Sequence, residues 1–185
     1  MADGLFYNDN RTPHIQADIA AVTLSTTDLP LYPVGNFPIL GANYFGYSGK
    51  KLKIRLFGRI TTGATPGNGT FDIYWGNGTA ANGTIIASSA TVALTASQTN
   101  LSWFLECETH ARAQGSSGSL FLTGWCAFNN AVIANTLQPL LIPASAPAAV
   151  TVDLTQANII SVQFKRSGST AETMQVHDMD VIAMN

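Results

Sequence analysis

The chain alternates between apolar and polar residues over most of its length, with a period of two. In Lys51–Ile60 the leucines and isoleucines occupy alternate positions, while Lys53, Arg55 and Arg59 occupy the positions between them. Successive side chains of a β-strand point to opposite faces, so this segment predicts a strand with one buried and one solvated face. Similar segments recur between turns rich in Gly, Asn and Pro, which predicts an all-β protein.

The number and spacing of these segments predict an antiparallel β-sandwich of about eight to ten strands, and a jelly roll fits that count best. An immunoglobulin-like sandwich is the alternative, but Cys107 and Cys126 lie too close in sequence for its usual bridge between sheets. We expect these cysteines to be small buried thiols on two sequential strands rather than a disulfide.

The last strand segment, residues 173–184, changes phase part-way along. Met174 and Val176 are out of step with Met179 and Val181 if the segment is a regular strand. One extra residue would restore the alternation, so we predict a β-bulge near residues 177–178.

Two parts of the chain do not follow the alternating pattern. Residues 1–17 are polar and irregular, and we expect an extended N-terminal arm there. Residues 18–185 are predicted to form one sandwich domain, within which residues 26–50 form a long loop. That loop is rich in Pro and Gly, and ordered loops of this length are usually functional or held by their own side chains.

Composition excludes several classes of function. Charged residues make up only 11% of the 185 residues, against roughly 25% in an average soluble domain. The formal net charge of −2 gives no general attraction to nucleic acid, and proline residues interrupt the longest apolar run before it could span a membrane. The N-terminus has no basic and apolar regions typical of a signal peptide, so we expect synthesis in the cytoplasm of a host cell.

No residue pattern in the chain is typical of an enzyme. Nucleophile, zinc-binding and phosphate-loop motifs are missing, and only three histidines occur. Glu106 and Glu108 share a strand face, but we expect them to be solvated acids lying opposite Lys53 and Arg55. A metal site at His177–Asp178 would need the predicted bulge to bring both side chains together. We therefore expect no catalytic residue, no metal and no cofactor.

Two groups of residues are candidates for a protein interface. One is the basic stripe of the strand described above, which either contacts an acidic partner or keeps a sheet face soluble. The other is aromatic, because tyrosine and phenylalanine are common in interfaces; the alternative is that the loop aromatics pack on their own domain. The full candidate set is Phe6, Tyr7, Tyr32, Phe37, Tyr44, Phe45, Tyr47, Lys51, Lys53, Arg55 and Arg59.

Residues 58–76, GRITTGATPGNGTFDIYWG, and 96–125, ASQTNLSWFLECETHARAQGSSGSLFLTGW, give the chain a resemblance to known proteins. In strand spacing, Gly-rich turns and low charge they resemble the jelly-roll decoration, or cement, proteins of tailed bacteriophages. The resemblance implies a homotrimer on the capsid exterior that bridges copies of the major capsid protein, often through an N-terminal arm. It implies no catalytic residue.

Our first hypothesis is therefore a virion structural protein that decorates and stabilises a phage capsid. The alternative is a receptor- or glycan-binding head module of a tail fibre or spike, in which exposed aromatics such as Tyr74 or Trp125 stack on sugar rings. A third possibility, a glycan-cleaving or cupin-like enzyme, lacks the required histidine and acid set. Neither a nucleic-acid partner nor a membrane is expected.

Overall fold

Two antiparallel sheets make up the part of the chain that the structure, a computed structural model, describes: residues 19–33, 36–76, 83–133 and 138–184. The strands within these ranges are β1 (Val22–Thr23), β2 (Leu29–Pro30), β3 (Lys51–Thr61), β4 (Asn68–Gly76), β5 (Gly83–Ser88), β6 (Val92–Ala93), β7 (Leu101–Ala113), β8 (Gly118–Phe128), β9 (Leu140–Ile142), β10 (Val150–Val152), β11 (Ile160–Arg166) and β12 (Thr173–Met184).

The larger sheet has seven strands in the order β1-β12-β3-β7-β8-β10, with β9 also paired to β8. The smaller sheet has five strands in the order β2-β11-β4-β5, with β6 also paired to β4. Their apolar faces pack together around Phe71, whose ring centroid lies 5.5 Å from that of Trp103 in the facing sheet. The predicted all-β, antiparallel sandwich is confirmed. No helix within the described ranges is long and apolar enough to cross a lipid bilayer.

The described residues contain twelve strands, slightly more than the eight to ten predicted. The two that the alternation did not reveal are β2 and β9, of two and three residues. Pro30 lies inside β2 and Pro143 directly follows β9. Proline cannot donate to a strand ladder but is tolerated at sheet edges, so a proline-rich segment can still contribute a short strand there.

The change of phase in β12 is a β-bulge at the predicted place. Val176 lies opposite Gly58 of β3 and Asp178 lies opposite Phe57, so His177 is the extra residue. Met179 and the apolar residues that follow at alternate positions therefore return to the core. One inserted residue explains how a twelve-residue strand remains paired with β3 over its whole length.

The two cysteines are buried thiols, as predicted. Cys107 lies on β7 opposite Gly124, and Cys126 lies two residues further along β8, opposite Leu105. Both are free. Burial raises the pKa of each thiol to about 12, so both remain protonated and unreactive at neutral pH.

A close contact between Gly58 and Trp103 fixes how the central strands pack. The two residues lie opposite each other on β3 and β7, and Trp103 is almost completely buried. A Cβ atom added to Gly58 would lie 2.0 Å from the carbonyl oxygen of Gln175 and 2.9 Å from the Trp103 ring. The Gln175 carbonyl and the indole therefore occupy space that any other residue at position 58 would need.

We expect Gly58→Ala to lower the free energy of unfolding by about 1–3 kcal/mol, the usual cost of inserting atoms into a packed core. Gly41→Ala is the matched control, because a Cβ atom there meets nothing within 4 Å. Urea unfolding of the full chain measures both. Equal stability of the two variants would contradict this account of the core.

Candidate functional site

The outer face of the seven-stranded sheet carries a ladder of paired charges. Lys53 lies opposite Glu108 and Arg55 lies opposite Glu106, as predicted. The Lys53 ammonium is 2.9 Å from a carboxylate oxygen of Glu106 and 3.8 Å from one of Glu108. Arg55 reaches Asp180 of β12 at 3.3 Å. The two central cations of the basic stripe are thus compensated within the sheet.

The ends of the basic stripe also have neighbours in the chain. The Arg59 Nε–H donates a hydrogen bond of 2.9 Å to the side-chain oxygen of Gln175 on β12. Lys51 lies opposite His110 of β7. The acids therefore offset the positive potential in the middle of the stripe, at Lys53 and Arg55, while Arg59 is held by a neutral amide.

Four apolar side chains lie on the same outer face, and we call them the aromatic platform: Phe57, Phe104, Trp125 and Leu141. Phe57 is 46% exposed and Leu141 is 68% exposed, while Phe104 and Trp125 are half-buried. Phe57 lies directly opposite Phe104, and Trp125 lies opposite Leu141. The Phe104 and Trp125 ring centroids are 5.0 Å apart, with an angle of 41° between the planes. These neighbours form a continuous apolar surface across four strands.

The platform adjoins the charge ladder. Trp125 of β8 lies opposite Glu106 of β7, which in turn lies opposite Arg55 of β3. An aromatic surface therefore borders a carboxylate and a guanidinium held by ion pairs. Such a surface can pack against an apolar ligand face while its polar edge exchanges hydrogen bonds with the ligand.

Further along β7 and β8 the outer face carries a second aromatic group. The His110 ring meets the Phe121 ring edge to face, with centroids 6.2 Å apart, and the Arg112 guanidinium lies 4.5 Å from the centre of Phe121. Burial, together with the nearby charge of Lys51, lowers the pKa of His110, so this histidine is neutral at pH 7. It adds no charge to the face.

Most of the loop aromatics proposed as interface residues are buried in the chain's own core. Tyr32, Phe37 and Phe45 are 5%, 3% and 2% exposed. Tyr44 is half-buried, meets Phe45 edge to face and has the Lys50 ammonium 4.1 Å above its ring. Among the loop tyrosines and phenylalanines, Tyr47 alone is an exposed residue, with a relative exposure of 41%. This burial favours the self-packing alternative for the loop. Phe6 and Tyr7 lie outside the described residues.

Tyr74, expected to be exposed for stacking on a sugar, is buried, so that expectation was wrong. Its side chain is on the outer face of the five-stranded sheet, but its hydroxyl donates a 2.6 Å hydrogen bond to Asp28 from the segment before β2. Lys165 donates to Asp72 at 2.6 Å and is 3.5 Å from Asp28, and the Ser88 hydroxyl also donates to Asp72. These hydrogen bonds and ion pairs hold the segment before β2 against the smaller sheet.

Asp28 and Asp72 both lie beside the Lys165 ammonium and differ in their affinity for a proton. Burial, and then the hydrogen bond to Asp72, raise the pKa of Asp28. Burial also opposes ionisation of Asp72, but hydrogen bonds from Asp28, Lys165 and Ser88 outweigh it and lower the pKa of Asp72. Asp28 therefore takes up a proton at a higher pH than Asp72 does.

The bulge at His177 does not assemble a metal site. Among the described residues, no group of three or more His, Cys, Asp or Glu side chains could hold a metal ion. The sequence motif His177–Asp178 thus has a backbone role, since it carries the extra residue of β12.

Alternation alone could have indicated the platform. Phe57, Phe104 and Trp125 occupy the outward positions of their strands, where polar residues predominate. The sequence shows each of them as an exception to the pattern. Strand register, which the sequence does not give, is what places them side by side.

Comparisons with known proteins give distant likenesses of fold. No family model matches the chain, and no curated protein matches it. Among solved structures, the CBM2 module of the evolved Dit of Lactobacillus casei BL23 phage J-1 aligns with 12% identity and a TM-score of 0.38, covering 95% of this chain and 97% of that one. Lectin I-B4 of Griffonia simplicifolia aligns with 8% identity and a TM-score of 0.36, covering 100% and 97%.

Botulinum neurotoxin type C, which depends on interaction with two ganglioside molecules to enter cells, aligns with 12% identity and a TM-score of 0.34. The alignment covers 98% of this chain and 50% of the toxin chain. Scores and identities this low establish no functional relationship. The site must therefore be interpreted from its own residues.

The Asp28–Asp72 pair predicts a specific pH dependence of stability. A raised folded-state pKa means that the contribution of Asp28 is complete below its unfolded-state pKa and is lost as the pH rises through the folded-state value. Asparagine cannot ionise. We therefore expect Asp28→Asn to become more stable, relative to the unchanged chain, as the pH rises from about 4 to about 7.

Urea unfolding of both proteins at several pH values measures this difference in free energy. Asp72, whose pKa is lowered, loses its stabilising contribution as the pH falls. This loss occurs in both proteins. A difference that stays constant over the whole range would contradict the raised pKa of Asp28.

Proposed function

We propose that this chain is a non-enzymatic recognition module of a bacteriophage particle, and that it binds a glycan on the outer face of its seven-stranded sheet. The observation that carries the proposal is the aromatic platform beside the charge ladder. This is the alternative that the sequence left open, with Trp125 in the predicted role and Tyr74 excluded by burial.

The platform suits a sugar in shape and chemistry. A pyranose ring has an apolar face of C–H groups, which packs on an aromatic ring, and a rim of hydroxyl groups. Trp125 and Phe104 supply the aromatic surface, and Glu106 and Arg55 lie beside it with acceptor and donor atoms held in place. The ligand gains contact area from the rings and orientation from the polar groups.

The charge pattern favours a neutral sugar. Lys53 and Arg55 are offset by Glu106, Glu108 and Asp180 within a few ångströms. A strongly anionic or cationic ligand would have to disrupt these pairs, while a neutral one can exchange hydrogen bonds with them as they are. We therefore expect neutral oligosaccharides to bind better than charged ones.

Assignment to a phage particle rests on the likeness of residues 58–76 and 96–125 to phage structural proteins. The binding role rests on the aromatic platform and the charge ladder. Capsid decoration, our first hypothesis, stays a prediction. Several residues expected to contact a capsid are used inside the domain instead: Tyr32, Phe37 and Phe45 in the core, and Arg55 in ion pairs.

Screening the full chain against an array of bacterial surface polysaccharides and short oligosaccharides tests the proposed function. We then expect Trp125→Ala to weaken binding of the best oligosaccharide about tenfold or more in calorimetric titration, because one aromatic contact contributes on the order of 1.5 kcal/mol. Tyr47→Ala is the matched control, since Tyr47 is an exposed aromatic in the loop before β3 and is not a member of the platform.

The two variants distinguish specific binding at the platform from nonspecific binding by exposed aromatic residues. Loss of binding in Trp125→Ala and not in Tyr47→Ala supports the proposal, provided that both variants unfold at the same urea concentration as the unchanged chain. Binding that survives Trp125→Ala, or no binding to any glycan on the array, would refute it.

A further inference from the structure

An apolar groove lies at the edge of the sandwich where β5 and β10 approach each other, and we call it the edge groove. Its lining includes Ile85 and Ala87 of β5, Ala144 and Ala146 of the loop after β9, and Val150 of β10. No charged residue lines it, Ile85 is 41% exposed, and the alanines at 144 and 146 are also exposed. The groove is open, uncharged and bordered by small side chains.

One wall of the edge groove is an edge strand. Within the described residues β5 pairs on one side with β4, from Gly76 to Asp72. On its other side the described backbone makes one hydrogen bond, from the Ala144 amide to the Ser88 carbonyl. An edge strand with an apolar groove beside it can accept an added peptide strand, whose backbone pairs with the edge and whose side chains fill the groove.

The described chain begins at the opposite side of the sandwich. The Ile19 amide donates to the carbonyl of Val176 on β12, and β1 pairs with β12 at Val22 and Thr23. Five strand spacings of roughly 4.8 Å each separate β1 from β10 across the larger sheet. The described chain therefore begins at the edge that lies furthest from the edge groove.

The eighteen residues before Ile19 contain one apolar run, Leu5, Phe6 and Tyr7, in an otherwise polar sequence. Eleven residues lie between Tyr7 and Ile19. Fully extended, the twelve steps from Tyr7 to Ile19 can span about 40 Å. We propose that Leu5–Tyr7 of one copy of the chain binds in the edge groove of a second copy, as a strand added along β5.

We choose a second copy as the partner because the start of the described chain and the edge groove lie at opposite edges of the sandwich. When the β1 edge of one copy faces the β5 edge of the next, the start of the described chain and the groove lie side by side. To reach the groove of the same copy, the segment would have to cross a whole sheet face, where the strands are already paired with one another and offer no free edge to a further strand. The contact joins two different surfaces, so it repeats from copy to copy in a head-to-tail assembly.

Light scattering after size exclusion, applied to the full chain and two blocked variants, tests this proposal. Ala146→Glu blocks the groove with a charge, and Phe6→Ser with Tyr7→Ser blocks the segment that enters it. We expect the unchanged chain to have a mass above the 19.6 kDa of one copy, and each variant alone to have the mass of one copy. Ala64→Glu, at an exposed alanine outside the groove, should assemble like the unchanged chain.

An equimolar mixture of the two blocked variants is the decisive sample. One variant has an intact N-terminal segment and the other an intact groove, so the mixture should form pairs with one copy of each. A general loss of stability would not be repaired by mixing. Circular dichroism checks that each variant is folded, and Ala148→Glu replaces Ala146→Glu if the latter is not.

Three results would overturn the proposal. They are a single-copy mass for the unchanged chain at micromolar concentration, blocked variants that assemble like the unchanged chain, and a mixture that stays at the single-copy mass. The first of these would also be the result if the segment occupied the groove of its own copy. Glycan binding by the platform is measured separately, and its outcome does not depend on the outcome of the assembly experiment.

Discussion

The register of the central strands β3, β7 and β8 is the constraint on which both faces of the larger sheet depend. Because side chains alternate along a strand, the pairing that buries Ile54, Leu105 and Cys126 also determines which residues meet on the outside. It places Arg55 beside Glu106 and Glu106 beside Trp125. A slip of one residue would move the charges into the core and the leucines into water. The fit between Gly58 and Trp103 opposes such a slip, since the indole is accommodated only where β3 has no side chain. Core packing and the candidate binding surface are thus two results of one pairing.

Local alternation was enough to predict the larger sheet in some detail. The sandwich class, the position of Lys53, Arg55 and the β7 acids on solvated strand faces, the buried thiols and the bulge in β12 all follow from which residues fall on alternate positions. The bulge was predictable because two apolar series were out of phase, and one inserted residue is the simplest correction. These features depend mainly on neighbouring residues along one strand. The alternation of apolar and polar residues records that information directly.

Features that depend on a third layer or on a long loop could not be predicted in the same way. Asp72 and Tyr74 occupy alternate positions of β4 on the outer face of the smaller sheet, but alternation could not reveal that the segment before β2 covers them through Asp28. The aromatics of residues 26–50 have no periodic pattern, so the sequence left burial and exposure equally open. The aromatic platform falls between these cases. Each of its members is visible as an apolar residue in a polar position, yet only the register of four strands brings them together.

The central claim is that the outer face, and Trp125 in particular, contacts a glycan. The chain has three tryptophans, and two of them cannot respond directly, because Trp103 is buried and the Trp75 indole donates to the carbonyl of Asp153. Each indole N–H gives its own signal in a nitrogen–proton correlation spectrum. Titration with the tightest-binding oligosaccharide should shift the Trp125 indole signal and the backbone signals of Phe57, Phe104 and Glu106, and leave the Trp103 and Trp75 indoles in place. Shifts confined to other parts of the surface, with the Trp125 signal unchanged at saturation, would contradict the account.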